Sequence, residues 1–134
     1  MEISVFKFGL LGFSENITSV AVIAADYPDI PLIIDPVLAS GRGDDLVNAE
    51  MMGAMLELLF PQSYLITPNS YEARRLVIEG DENFEDISIE QCAERFKLLG
   101  CQNVLITGTH ENTKSVINTL FLESKDAIPY YWDR

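Results

Sequence analysis

Positive charge is scarce in this sequence: 9 Lys and Arg stand against 21 Asp and Glu, for a net charge of −12. An acidic surface of that kind repels nucleic acid and anionic lipid, so neither is expected as a partner. A phosphate-bearing ligand would have to be held by backbone N–H groups, a helix N-terminus or a metal ion. Histidine occurs once and cysteine twice, which argues against a metal cluster or a disulfide framework. Cys92 falls on the apolar face of an expected helix and Cys101 just past its end, so both read as core thiols in a reducing, cytosolic setting. No apolar run reaches the roughly 20 residues that span a bilayer. Acidic Glu2 and the broken apolar stretch around it do not build a signal peptide. Repeats, low-complexity tracts and linkers are missing as well. A single unit of 134 residues, large enough to bury a core, is the natural reading.

Strand and helix patterns alternate along the chain. Residues 5–8 predict a short strand ended by Gly9. Ser14 is placed to cap a helix through about Ala25, with Ile17, Val20, Ala21 and Ala24 on one face. Leu32-Ile33-Ile34 reads as a strand buried on both faces, as in parallel sheets. After a Gly-rich turn at 40–45, the spacing of Leu46, Ala49, Gly53, Leu56 and Phe60 predicts a second helix stopped by Pro61. A strand at 64–66, a helix from Ser70 to about Ile78 and an acidic loop at 80–86 follow. Ser88 and Gln91 form a capping-box signal for a helix that buries Ile89, Cys92, Phe96 and Leu99, and Gly100 is placed to end it. Strands at 104–106 and 116–121 close the pattern, with a link short enough for a hairpin. The order predicts an α/β fold: a three-layer, mostly parallel open sheet with helices on both faces and an antiparallel strand near the C-terminus.

In open sheets of this kind, ligands bind at the carboxyl ends of the strands. Three strands end alike, in Ile34-Asp35-Pro36, Ile66-Thr67-Pro68 and Ile106-Thr107-Gly108. This places Asp35, Thr67, Asn69 and Thr107 along one edge. Asn69 and Glu72, three residues apart at a helix start, converge on one volume and suit water ordered around a phosphate-bound Mg²⁺. The same spacing also describes a capping box, and the two roles are compatible. Asp35 serves either a turn with Pro36 or a cation. Loop 40–44, with Arg42, either covers a ligand or forms a solvated turn; it lacks the Gly-Lys-Ser/Thr of a Walker A loop. His110 has no nucleophile placed beside it and reads as a loop residue.

Lys7-Phe8-Gly9-Leu10-Leu11, Asp35-Pro36-Val37, Thr67-Pro68-Asn69-Ser70-Tyr71-Glu72-Ala73 and Ile106-Thr107-Gly108-Thr109-His110 occur in an order and spacing that resemble the phosphomethylpyrimidine kinases of the ribokinase-like superfamily. The resemblance covers nearly the whole chain. It implies a partial ribokinase-like fold, residues 1–134 being one incomplete kinase domain. It implies phosphorylation of hydroxymethylpyrimidine and its monophosphate in thiamine biosynthesis, with ATP and Mg²⁺ as cofactors and a small-molecule pyrimidine as partner. By that analogy Asp35, Asn69, Glu72 and Thr107 bind the nucleotide, Asp35 and Glu72 approach the metal, and Leu10 and Val37 line the pyrimidine pocket. The family's preceding Gly-x-Asp contact and its later Gly-x-Gly-Cys or Gly-x-Gly-Asp segment have no counterpart here. No catalytic base is therefore assigned to this chain, and little activity is expected of it alone. Thr107 also stands where many members carry Lys, and the 40–45 loop lacks a Lys. Pyridoxal kinase, a non-catalytic nucleotide- or pyrimidine-binding module, and on topology alone a receiver-type domain are the competing readings. Apolar surface and open sheet edges lead to an expected homo-oligomer.

Overall fold

A computed structural model, describing residues 1–134, contains six strands: β1 (Phe6–Phe8), β2 (Leu32–Ile34), β3 (Leu65–Ile66), β4 (Asn103–Ile106), β5 (Ser115–Phe121) and β6 (Ala127–Asp133). They lie side by side in chain order in one sheet. β1 to β4 are mutually parallel, β5 runs antiparallel to β4, and β6 antiparallel to β5. Four α-helices accompany them: α1 (Ser14–Asp26), α2 (Ala49–Ala54), α3 (Ser70–Val77) and α4 (Ile89–Leu98). The mostly parallel α/β sheet with an antiparallel turn near the C-terminus is as the sequence predicts. No helix is long and apolar enough to cross a membrane.

Register shows where the core sits. Ile34, Ile66, Val104 and Phe121 are partners across successive strands and so share one face. All four are buried, and they join α1 to α4 in one cluster of 24 residues. Each fully buried aliphatic side chain stabilises the fold by about 1.5–3 kcal/mol. Phe60 and Phe96, both fully buried, meet edge to face at 5.7 Å between ring centres. On the opposite face Ile33, Leu65, Leu105 and Leu120 remain half-buried. Right-handed crossovers that always step the same way put every helix on the same side. Helices thus cover one face in these residues, which supply two of the three expected layers.

Local details refine the sequence reading. Ser14 does not cap α1: Phe13 holds the N-cap position without a side-chain bond, and Ser14 is the first helical residue. Asn48 caps α2 by accepting the Met51 N–H at 2.9 Å. The helix then widens into a π turn over Met55–Leu59 and a 3-10 turn over Phe60–Gln62. The buried stripe runs through Met51, Met55 and Leu59, four residues apart, with Phe60 following; Leu46, Ala49, Gly53 and Leu56 do not form that stripe. In α4 the Ser88–Gln91 capping box is present, and Gly100 adopts φ +108° beyond the helix end. Leu99 stays 39% exposed rather than joining the core. The sequence reading did not include β6, every residue of which is exposed.

Candidate functional site at the strand ends

Three parallel strands deliver their last residues to one edge. Beyond β3 and β4 the chains stay paired: Asn69 and Thr107 form a parallel bridge, Ser70 N–H donates to the Thr107 carbonyl at 2.9 Å, and Thr107 N–H donates to the Pro68 carbonyl at 3.0 Å. Thr67 N–H donates to the Ile34 carbonyl at 3.0 Å, and Asp35 N–H to the Phe8 carbonyl at 2.8 Å. Backbone pairing therefore extends past the named strands and fixes Asp35, Thr67, Asn69 and Thr107 in a row. Just past Thr107, Gly108 lets β5 approach closely, because a Cβ there would stand 2.1 Å from the Ile117 carbonyl oxygen.

Asn69 and Glu72 form the capping box of α3. The Asn69 side-chain oxygen accepts the Glu72 N–H at 2.8 Å, and the Glu72 carboxylate accepts the Asn69 N–H at 2.9 Å. The other Glu72 oxygen accepts the Leu38 N–H at 3.3 Å, which ties the loop after β2 to α3. Glu72 is 8% exposed. Burial raises its pKa; the Asn69 and Leu38 N–H groups offset part of that, Asp35 adds repulsion, and His110 draws the value back. Asp35 is half-buried, and none of the chain's three ion pairs engages its carboxylate.

A cleft of about 430 Å³ opens here, lined by Ser40, Gly43, Asn69, Tyr71, Glu72 and His110 among others. Asp35 and Thr107 lie outside its lining; Thr107 reaches it through the bridge to Asn69, and Asp35 through its charge on Glu72. Loop 40–45 is a closed turn: Ser40 N–H donates to the Asp44 carbonyl, and Ser40 Oγ accepts the Arg42 and Asp44 N–H groups. Arg42 is exposed and does not line the cleft. Val37 is half-buried, its N–H closing a tight turn on the Asp35 carbonyl at 2.9 Å. Leu10 is 56% exposed and stands apart from the cleft. A separate cavity of about 520 Å³, between α4 and the β5–β6 hairpin, holds none of the strand-end groups Asp35, Asn69, Glu72 and Thr107.

The family model for phosphomethylpyrimidine kinase matches residues 1–134. The chain belongs to the phosphomethylpyrimidine kinase family. This family member is 38% identical over 109 residues to a hydroxymethylpyrimidine/phosphomethylpyrimidine kinase of Haemophilus influenzae, covering 81% of this chain and 40% of that protein. It is 33% identical over 121 residues to a thiamine biosynthesis bifunctional protein of Geobacter sulfurreducens, covering 90% of this chain and 24% of that one. A phosphomethylpyrimidine kinase from Clostridium difficile superposes with a TM-score of 0.78 at 25% identity, over 97% of this chain and 54% of that structure. An ADP complex of Bacillus subtilis pyridoxal kinase, at 24% identity, shares the fold with a TM-score of 0.79 over 99% of this chain and 48% of that structure. The chain thus spans between 24% and 40% of these two curated relatives.

Within this phosphomethylpyrimidine kinase family chain, sequence reading underrated two features of the cleft. His110 is a loop residue, as its sequence context suggests, and its loop brings it to the cleft lining; Tyr71 also lines the cleft, half-exposed. The shared strand-end pattern was the available signal, since His110 lies three residues past Thr107.

Proposed function

We propose that this chain carries the nucleotide-phosphate side of a hydroxymethylpyrimidine/phosphomethylpyrimidine kinase of thiamine biosynthesis. The observation that supports this most is the Asn69–Thr107 bridge, which brings two polar strand ends together beside buried Glu72. Phosphoryl transfer rests mainly on positioning and charge neutralisation. In a chain short of cations, the α3 N-terminus offers partial positive charge to a phosphate. The Thr107 hydroxyl and the Asn69 amide donate hydrogen bonds without adding charge.

The residues fit Mg²⁺ better than a caged cation. No group of three or more His, Cys, Asp or Glu side chains is placed to hold a metal. Mg²⁺ needs only one or two carboxylates, with water and substrate phosphates completing its shell. Asp35 has an ion-pair-free carboxylate for direct contact. Glu72, whose two oxygens already accept backbone N–H groups, would act through water. When bound, the ion neutralises charge on the transferred phosphoryl group. Val37 and Leu10 are assigned to the pyrimidine. No residue here is assigned as the base that deprotonates the substrate hydroxyl.

The test is turnover by the protein that carries this chain, with hydroxymethylpyrimidine, its monophosphate and pyridoxal each offered with ATP and Mg²⁺. Phosphorylation of the two pyrimidines is expected. Preference for pyridoxal would overturn the substrate assignment, and nucleotide binding without turnover of any substrate would mark a binding module. The half-exposed apolar sheet face further favours self-association, which sedimentation velocity measures, and a cytoplasmic location fits the two free, buried thiols.

A further inference from the structure

Two consecutive arginines on α3 reach the two loops that flank the cleft. Arg75 Nη1 meets Asp45 Oδ1 at 2.6 Å in the wall formed by loop 40–45. Arg74 forks onto Glu111, at 2.5 Å and 3.2 Å, on loop 107–114, whose His110 lines the cleft, while Arg74 and Glu111 themselves line the neighbouring cavity of about 520 Å³. The two pairs are unequal. The Asp45 side chain is 67% exposed, so its pair is screened and weak. Arg74 is 12% exposed and Glu111 32%, and Arg74 Nε is anchored on the Ile87 carbonyl at 2.7 Å. A two-pronged arginine–carboxylate contact fixes orientation as well as distance. The same loop is held from its other side by Arg134, whose guanidinium donates to the carbonyls of Thr109, Glu111 and Thr113.

We infer that Arg74, acting through Glu111, is a positioning residue that sets loop 107–114 against the cleft and so fixes where Thr107 and His110 meet a nucleotide. This rests on the nucleotide-site reading above. Arg74 is not among the residues that line the cleft, so its effect is indirect. Arg95 serves as the internal control, since its two-pronged pair with Glu82 lies away from the cleft lining. Lysine cannot reproduce the fork, so Arg74→Lys should restore only part of what Arg74→Met loses.

The experiment uses Mg-ADP titration and amide hydrogen exchange on the wild type, Arg74→Met, Arg74→Lys, Glu111→Gln, Arg95→Met and the Arg74→Met/Glu111→Gln double variant. Expected are faster exchange confined to residues 108–113 and a roughly tenfold weaker Mg-ADP affinity in Arg74→Met and Glu111→Gln. The double variant should be no worse than either single one, as residues acting as one unit are non-additive. Arg95→Met should match the wild type in both readouts. Exchange in the loop that stays at the wild-type rate in Glu111→Gln overturns the clamp whether or not nucleotide binds. A loosened loop with unchanged affinity overturns the positioning role. Failure of the wild type itself to bind Mg-ADP, with the loop loosening as expected, instead sinks the nucleotide-site reading and the positioning role with it, leaving a structural clamp. A misfolded Arg74→Met would shift exchange throughout the sheet, and Glu111→Gln then decides.

Discussion

Replacing Asn69 separates two roles that share one side chain. Its oxygen accepts the Glu72 N–H at 2.8 Å, while the Glu72 carboxylate independently accepts the Asn69 N–H at 2.9 Å. Asn69→Ala removes the first bond and keeps the second. Loss of an N-cap oxygen costs about 1 kcal/mol, which at this chain length lowers the unfolding midpoint by about 4 °C. Asn69→Ser keeps a capping oxygen, so its midpoint should stay within about 1 °C of the wild type; Asn69→Asp keeps one too but sets a charge beside Asp35 and buried Glu72, so its midpoint should fall below that of Asn69→Ser. Nucleotide binding should divide the variants differently. Ser and Ala both lose the amide donor, and Asp also adds a charge beside Asp35 and Glu72. All three should therefore bind Mg-ADP more weakly, Asp most of all. Thermal unfolding by circular dichroism, set beside calorimetric titration, reads both effects. Wild-type affinity in Asn69→Ser would refute the reasoning and leave Asn69 as a helix cap alone. An unchanged midpoint in Asn69→Ala would remove the cap as well.

Other expectations follow from packing and charge. Gly108→Ala forces a Cβ to within 2.1 Å of the Ile117 carbonyl oxygen, and overpacking of this kind costs about 3 kcal/mol; urea denaturation should show it, and a loss under about 1 kcal/mol would contradict the close approach. Cys92 and Cys101 are buried, and burial pushes both thiols up to about 11; neither should react with a disulfide reagent until the chain unfolds, and fast labelling of the native protein would contradict that. The Arg74 guanidinium holds Glu111 below the usual carboxylate range. Stability from this pair is present above the unfolded carboxylate value of about 4.3 and is lost as pH falls through the folded value. Glu111→Gln should therefore flatten the acid limb of the stability profile. Glu72 works in the opposite sense: burial raises its pKa, so folding favours its protonated form and its contribution declines as pH rises through the unfolded value.

Much of the fold was legible because its signals are local. Ile17, Val20, Ala21 and Ala24 recur at helical spacing and are all buried, and the Ser88–Gln91 box forms as its spacing predicts. The α2 segment is apolar on two faces, and periodicity alone does not choose between them: Met51, Met55 and Leu59 recur at helical spacing as Ala49, Gly53, Leu56 and Phe60 do, and the buried set is in place at Met51, before the π turn at Met55–Leu59. β6 escaped because an exposed edge strand has no buried face to impose alternation, and Pro129 sits within it. At the cleft, the strand-end polar residues were visible as a repeated pattern. The ties that shape its walls were not: Leu38 to Glu72, Asp45 to Arg75 and Glu111 to Arg74 join residues 30 to 37 apart in sequence. Nothing in local spacing encodes such pairs.

The central claim is that the row of strand ends at Asp35, Asn69 and Thr107 is the phosphate side of a nucleotide site. Backbone and side-chain amide NMR of this chain, titrated with ADP in the presence and absence of Mg²⁺, tests it most directly. The account predicts shifts concentrated at residues 35–38, 67–72 and 107–110, including the Asn69 side-chain amide, that are strengthened by Mg²⁺ and lost in Asp35→Asn. Shifts centred elsewhere, such as the cavity between α4 and the β5–β6 hairpin, or no saturable shifts at all, would contradict it.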